Sequence, residues 1–217
     1  MAIAILTCSG CGNIAVQPRG PNDSAPVRPR AVVVLLDCTA SFASFDAAKR
    51  KIATELVPAL HGGDHFYAVR IRNFGFRDCD LVINESVPAS SHTIQVEAAA
   101  AKRRICDEVS ALKPVREERG TDIVGAIYHA ADILAQHDRA ERWLFIYSDM
   151  EQDTERALLL HLPTGTHVAC LYVSHTDGSV SRYEAKRRLW QQRLQDAGAE
   201  SVSILDVAGT KSSPLFR

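Results

Sequence analysis

The segment Ala31–Leu36 reads AVVVLL and ends at an acidic residue, Asp37. A strand with one face in water alternates apolar with polar residues, whereas a strand covered on both faces is apolar at nearly every position. Because no position of this run is polar, we expect it to be a central strand. Such a strand requires a sheet that carries other elements on both of its faces.

Apolar runs alternate with amphipathic segments along most of the chain. Predicted strands cover residues 31–37, 65–76, 80–84, 142–149, 167–174 and 201–207. Predicted helices lie within residues 42–60, 95–112, 121–134, 154–161 and 182–196. This alternation predicts an α/β fold, in which a three-layer, Rossmann-like, doubly wound and mostly parallel sheet carries helices on both faces. The short segment 80–84 is expected to be an antiparallel edge strand.

Oxygen-bearing side chains stand where these elements end or begin. Asp37, Thr39 and Ser41 follow the first strand, Thr121 opens a helix, and Asp149 ends the strand at 142–149. In a parallel sheet, ligands bind outside the carboxyl ends of the strands, so we expect these residues to converge. Two carboxylates and three hydroxyls suit a hard divalent cation such as Mg²⁺ or Mn²⁺. Because the hydroxyls are neutral, the ion stays electron-poor and gains from a carboxylate of another molecule.

Three motifs resemble those of von Willebrand factor A domains. The segment 37–41 (DCTAS) resembles their DxSxS motif, 120–122 (GTD) resembles their central threonine motif, and 148–149 (SD) resembles their TDG-type motif. The resemblance covers about residues 31–208 and implies a metal-ion-dependent adhesion site. In this family's pattern Thr39 stands in place of a serine, and Met150 stands in place of a glycine.

The resemblance also implies a role for each residue. Thr39, Ser41 and Thr121 would offer side-chain oxygens to the ion, and Asp37 and Asp149 would act mainly through bound waters. The partner would be a protein that supplies an Asp or Glu. Two neighbouring side chains, Phe42 and Met150, are expected to form the rim against which this partner docks.

Two other interpretations of the same residues stay open. Asp37 at a strand end also suggests a haloacid dehalogenase-like, metal-dependent phosphohydrolase, although Thr39 stands where that family has a second acid. Alternatively, the domain is a scaffold of the same fold with an unused metal site. No P-loop or GxGxxG motif is present, and the formal net charge of −1 does not favour a nucleic-acid partner. We expect a binding module and not an enzyme.

The amino terminus predicts export. Residues 1–14 resemble a shortened lipoprotein signal with Cys11 as the lipidation candidate, and the proline-rich residues 15–30 are typical of a tether. The globular domain would then cover 31–208 and be followed by a tail at 209–217. This organisation favours a periplasmic or outer-membrane lipoprotein or a secreted protein. The alternative is a cytoplasmic protein, and no apolar run is long enough to span a bilayer.

Cysteines and histidines carry weaker signals. Cys38 and Cys170 lie in apolar strands and are expected to be buried thiols, whereas Cys79 and Cys106 could form a disulfide in an exported protein. The pair Cys8 and Cys11 is half of a zinc pattern without a second half. The segment 61–65 (HGGDH) is expected to be a solvated loop because its two glycines disfavour a helix.

Overall fold

A computed structural model of the chain describes residues 28–73, 77–89, 94–115, 120–152, 159–173 and 179–205. The strands are β1 (Arg30–Asp37), β2 (His65–Ile71), β3 (Leu81–Ser86), β4 (Glu141–Tyr147), β5 (Thr166–Leu171) and β6 (Ser201–Leu205). The helices are α1 (Phe45–Lys51), which continues as a π-helical turn over Ile52–Leu56, α2 (Ile94–Ala111), α3 (Ile123–Ala135) and α4 (Val180–Asp196). Among the described residues, no helix is long and apolar enough to cross a membrane.

The six strands form one sheet in the order β3-β2-β1-β4-β5-β6. All neighbouring pairs are parallel except β2 and β3, which are antiparallel. The predicted fold class is therefore confirmed, including the antiparallel edge strand. The chain leaves β1 toward β2 on one side and later returns to β4 on the other, so the topological switch point lies between β1 and β4.

The alternating side chains of β1 divide the core into two layers. Ala31, Val33 and Leu35 pack with α3 and α4 on one face of the sheet. Val32, Val34 and Leu36 pack with α1 and α2 on the other face. All six of these side chains are at most 1% exposed. This burial on both faces explains why β1 is apolar throughout.

Some element boundaries differ from the expected ones. β2 ends at Ile71 and not at residue 76, and residues 74–76 lie outside the described part of the chain. Most of the helix expected at 154–161 lies outside it as well, and residues 159–161 are not helical. The lipoprotein signal, most of the tether and the tail at 209–217 also fall outside the described residues, as do Cys8 and Cys11.

The segment at 61–65 is a loop up to residue 64, as its composition predicts, and His61 and Gly62 are exposed, but Asp64 is not solvated and His65 begins β2. Asp64 is fully buried and accepts hydrogen bonds from the Arg30 backbone N–H (2.9 Å), its Nε (3.0 Å) and its Nη2 (2.6 Å). The His61 backbone N–H donates a further bond of 2.7 Å. The glycines leave room for a tight turn, and the buried carboxylate joins that turn to the start of β1.

The described cysteines are free thiols. Cys38 and Cys170 are buried as expected, and burial raises the pKa of each thiol to about 12. Cys79 is exposed and Cys106 is half-buried, so the disulfide suggested for an exported protein is not formed in this structure. Cys106 lies on α2, on one face of the sheet. Burial raises the pKa of the Cys79 thiol, and the Asp132 carboxylate of α3, on the opposite face, adds to this rise.

Candidate metal-binding site

The candidate site lies at the carboxyl-terminal edge of the sheet, where β1 and β4 end side by side. Leu36 pairs with Tyr147 in the last register position of the two strands, so Asp37 follows on one strand and Ser148 on the other. The start of α3 supplies Thr121 from the same edge. The structure therefore brings together the residues that the sequence singles out, at the topological switch point.

Asp37 is fully buried and both of its carboxylate oxygens are engaged. Its Oδ1 accepts hydrogen bonds from the backbone N–H of Thr39 (3.0 Å) and from the Thr39 hydroxyl (2.7 Å). Its Oδ2 accepts a bond of 2.7 Å from the Ser148 hydroxyl. The carboxylate thus orients the hydroxyls around it.

The three hydroxyls form a connected group. The Thr39 and Ser41 oxygens are 3.1 Å apart, and the Thr121 and Thr39 oxygens are 3.4 Å apart. Thr39 and Thr121 are buried, whereas Ser41 is exposed. The group is therefore enclosed on the protein side and opens to solvent at Ser41.

Asp149 is the second carboxylate of the site and is only 4% exposed. Burial raises the pKa of its carboxyl to about 6, and the nearby Asp37 carboxylate adds to the rise. The Glu151 backbone N–H, which donates a bond of 3.0 Å to Asp149 Oδ1, and the Lys186 ammonium both lower that pKa. Since the rise prevails, the site disfavours two negative charges unless a proton or a cation neutralises one.

Backbone features hold Thr121 in place. Gly120 has a φ of 99°, a left-handed conformation that glycine adopts without steric cost. Asp122 caps α3 by accepting a bond of 3.0 Å from the Gly125 N–H. The Gln152 side chain, which follows β4, accepts bonds from the Ile123 and Val124 N–H groups at 2.9 and 3.2 Å. The start of α3 is thereby tied to the end of β4.

These residues fit a small, hard cation. Octahedral Mg²⁺ with ligands at 2.0–2.1 Å places neighbouring ligand oxygens about 3 Å apart. The separations of 3.1 and 3.4 Å between the hydroxyl oxygens are close to this spacing. The candidate ligands at this edge are two carboxylates and three hydroxyls, and not the sulfur and imidazole ligands typical of zinc. Within the described residues, no cluster of three or more His, Cys, Asp or Glu side chains offers an alternative metal site.

Phe42 and Met150 do not form the expected rim, because both side chains are buried. Phe42 is 4% exposed and packs edge-on against Tyr172, with ring centroids 6.2 Å apart. Met150 is 1% exposed and lies in the core layer beneath α4. A side chain in the core presents no surface to a partner, so this prediction is corrected.

Three residues next to the site were not among the predicted ligands. Ser148 bridges Asp37 and the Met150 backbone N–H, which donates to its hydroxyl at 3.0 Å. Gln152 caps α3, and Lys186 of α4 reaches the backbone oxygen of Asp149 at 3.2 Å. The position of Ser148 immediately before Asp149 could have indicated a role. Nothing local in the sequence marks Gln152 or Lys186.

Comparison with known proteins finds similar solved structures but no similar sequence among the curated proteins. No protein-family model matches the chain, and no curated protein matches it by sequence. An aerotolerance-related membrane protein from Bacteroides fragilis superposes with a TM-score of 0.50 at 18% identity, over 82% of this chain and 92% of that one. The conserved hypothetical protein BatB from Bacteroides thetaiotaomicron superposes with a TM-score of 0.52 at 13% identity, over 86% and 95% of the two chains. At these identities the likeness shows a shared fold alone, and it agrees with the mostly parallel sheet described above.

Proposed function

We propose that the chain is a divalent-metal-dependent protein-binding module of the von Willebrand factor A type. Asp37, Thr39, Ser41, Thr121 and Asp149 would hold one Mg²⁺ or Mn²⁺ ion. The ion supplies a positive centre at the sheet edge, and an Asp or Glu of a protein partner binds to it. The module is then an adhesion or interaction domain without catalytic activity.

The spacing of the hydroxyl oxygens is the observation that carries this proposal. Thr39, Ser41 and Thr121 come from two distant parts of the chain, yet their oxygens lie 3.1 and 3.4 Å apart in one connected group. The buried Asp37 carboxylate accepts a hydrogen bond of 2.7 Å from the Thr39 hydroxyl, so a carboxylate adjoins the group. The separations of the hydroxyl oxygens match the ligand spacing of a hard cation with six oxygen ligands.

The charge of the site favours recognition of an acidic partner. The three hydroxyls would be the direct ligands and add no charge, and the two carboxylates would act mainly through bound waters, so the ion stays electron-poor. A carboxylate from outside then completes the coordination through a charge-assisted contact. The exposed Ser41 marks the side from which this ligand approaches.

The phosphohydrolase alternative is less compatible with the surroundings of Asp37. A nucleophilic carboxylate needs one oxygen that can reach a phosphorus atom. Asp37 is fully buried, and its two oxygens accept bonds from Thr39 and Ser148. We therefore assign Asp37 an orienting role, and turnover of a generic phosphate ester that Asp37→Asn abolishes would reverse this assignment.

Metal-dependent thermal stability tests the proposal. A ligand that binds the folded state at 100 times its Kd stabilises it by about 2.7 kcal/mol. Millimolar Mg²⁺ or Mn²⁺ should therefore raise the Tm of the full chain. Ser41→Ala and Thr121→Val should reduce this rise. Ser44→Ala, a nearby serine whose side chain makes no capping hydrogen bond, serves as the matched control.

The outcomes separate the three interpretations. A rise in Tm that the site variants reduce supports the binding module. An unchanged Tm at millimolar metal supports a scaffold with an unused site. Capture of a partner that is lost with chelator, and lost again when the partner's acidic residue is changed to its amide, supports carboxylate recognition.

We also propose that the module is exported and anchored by a lipid at Cys11. The sequence around Cys11 supports this proposal, and one of its structural neighbours is called a membrane protein. Labelling with a radioactive fatty acid should mark the wild-type chain but not Cys11→Ser. An unlabelled chain that retains Met1 would favour the cytoplasmic alternative.

A further inference from the structure

Two side chains of α4 donate hydrogen bonds to consecutive backbone carbonyls just after β4. The Lys186 ammonium donates to the Asp149 carbonyl oxygen at 3.2 Å, and the Trp190 indole Nε1–H donates to the Met150 carbonyl oxygen at 3.1 Å. Residues four positions apart lie on the same face of a helix. Lys186 also forms an ion pair with Glu151. One face of α4 therefore contacts three successive residues of this loop.

The loop adopts a backbone conformation that is unfavourable for its sequence. Met150 has a φ of 61°, which lies in the left-handed region. For a residue with a Cβ atom this conformation costs about 1–2 kcal/mol. Such a conformation persists when the surrounding structure determines it. The side chain of Met150 is not free to relax either, because it is packed in the core.

The same loop sets the position of the metal site. Asp149 and Ser148 immediately precede Met150, and the Met150 N–H donates to the Ser148 hydroxyl at 3.0 Å. Ser148 in turn donates to Asp37 at 2.7 Å. A connected series of hydrogen bonds thus runs from α4 through the loop to the buried carboxylate of β1.

We propose that Lys186 and Trp190 are positioning residues for the candidate metal site, because their hydrogen bonds to the Asp149 and Met150 carbonyl oxygens hold the backbone that carries Asp149 at the edge of the sheet. This inference rests on the proposed function. Both side chains are largely buried, since Trp190 is 2% exposed and the Lys186 side chain is 12% exposed. Their hydrogen bonds are therefore shielded from competing water.

Mn²⁺ affinity of the full chain, measured by calorimetry or electron paramagnetic resonance, tests this inference. Lys186→Met removes the charged donor and retains the aliphatic stem. We expect it to weaken Mn²⁺ binding about tenfold, which corresponds to the loss of one charge-assisted hydrogen bond. Arg187→Met on the same helix is the matched control, because Arg187 is exposed and pairs with Glu184 instead of the loop.

The Met150→Gly background distinguishes positioning from general stabilisation. Glycine adopts a positive φ without steric cost, so the loop then depends less on α4 and Lys186→Met should weaken binding only about twofold. An effect of the same size in both backgrounds would contradict the inference. So would wild-type affinity in Lys186→Met alone.

A metal-free measurement keeps this inference separate from the proposed function. In NMR spectra of the ¹³C- and ¹⁵N-labelled protein without metal, Lys186→Met should speed hydrogen exchange at the Trp190 indole N–H and shift the Met150 Cα and Cβ resonances. If the wild type binds no Mn²⁺, the proposed function fails and these signals alone decide the inference. Unchanged signals in Lys186→Met would overturn it whether or not the metal binds.

Discussion

Ser148 donates a hydrogen bond of 2.7 Å to Asp37 Oδ2 across 111 positions of sequence. The two residues leave neighbouring parallel strands at the same height, so the bond ties β1 to β4 at the switch point of the sheet. Asp37 is fully buried, and an unsatisfied oxygen on a buried carboxylate is costly. Ser148 is therefore part of the site although it is not one of its predicted metal ligands.

Ser148→Ala should destabilise the metal-free protein. The substitution leaves Asp37 Oδ2 without its hydroxyl donor, and it also removes the acceptor for the Met150 N–H. We expect the free energy of unfolding to fall by about 1–3 kcal/mol, as measured by urea denaturation in the presence of chelator. Ser110→Ala, which removes an exposed serine hydroxyl on α2, is the control and should change the free energy of unfolding by less than about 0.5 kcal/mol. Equal effects of the two substitutions would mean that Asp37 does not need this donor.

Substitutions at Met150 should follow an unusual order of stability. Met150→Ala loses buried packing and keeps the strained φ, whereas Met150→Gly loses the packing and relieves the strain. The loss of packing costs about 2–5 kcal/mol and exceeds the relief, so both variants should be less stable than the wild type. The glycine variant should nevertheless be more stable than the alanine variant by about 1 kcal/mol. Thermal unfolding of the three proteins measures this order, and an alanine variant above the glycine variant would argue against strain at this position.

The sequence predicts the fold and the gathering of oxygen ligands because both depend on local patterns. Apolar runs identify the strands, and the acids and hydroxyls at their ends identify the edge of the sheet where ligands bind. Asp37 and Asp149 lie at that edge in the structure, together with the three hydroxyls. That they hold a metal ion stays a prediction.

Other features depend on tertiary contacts that no local pattern reveals. Phe42 and Met150 follow the ligand residues in sequence, which suggested an exposed rim, yet both turn into the core. Lys186 lies within a basic helix segment typical of a solvated face and instead reaches the loop after β4. Asp64 lies between a glycine pair and a histidine, and its burial depends on Arg30, 34 residues away.

Asp64→Asn should be among the more destabilising single substitutions outside the candidate site. Asp64 is fully buried and accepts bonds from Arg30 and from the His61 N–H. Removing its charge leaves the buried Arg30 guanidinium without its counter-charge, which costs about 3–5 kcal/mol. Chemical denaturation of the metal-free protein measures the change.

An exposed ion pair provides the control for Asp64. Arg104 and Glu85 lie 3.0 Å apart on the surface, with side chains 54% and 22% exposed. Glu85→Gln should change the free energy of unfolding by less than about 1 kcal/mol. If Asp64→Asn were as mild as this control, the Arg30–Asp64 pair would not stabilise the start of β1.

The raised pKa of Asp149 predicts a pH dependence that metal removes. Burial raises this pKa from 3.8 to about 6, so between these values the folded state binds a proton that the unfolded state releases. The contribution of Asp149 to metal-free stability is therefore greatest below pH 3.8 and is lost as the pH rises through about 6. At neutral pH Asp149→Asn should then be more stable than the wild type by about 3 kcal/mol in chelator, and the difference should vanish near pH 4.

Metal should reverse this ranking. A bound divalent cation requires the ionised carboxylate, so saturating Mg²⁺ should stabilise the wild type at neutral pH and leave Asp149→Asn almost unchanged. The wild-type affinity for metal should also decline as the pH falls below about 6, since protons then compete for Asp149. Asp46→Asn alters an exposed carboxylate and should leave both the pH profile and the metal response intact. The result that contradicts this prediction is the same pH dependence of stability for the wild type and Asp149→Asn in chelator. It would mean that the pKa of Asp149 is not raised, and the charge of the site would then give no reason to expect a cation at this edge.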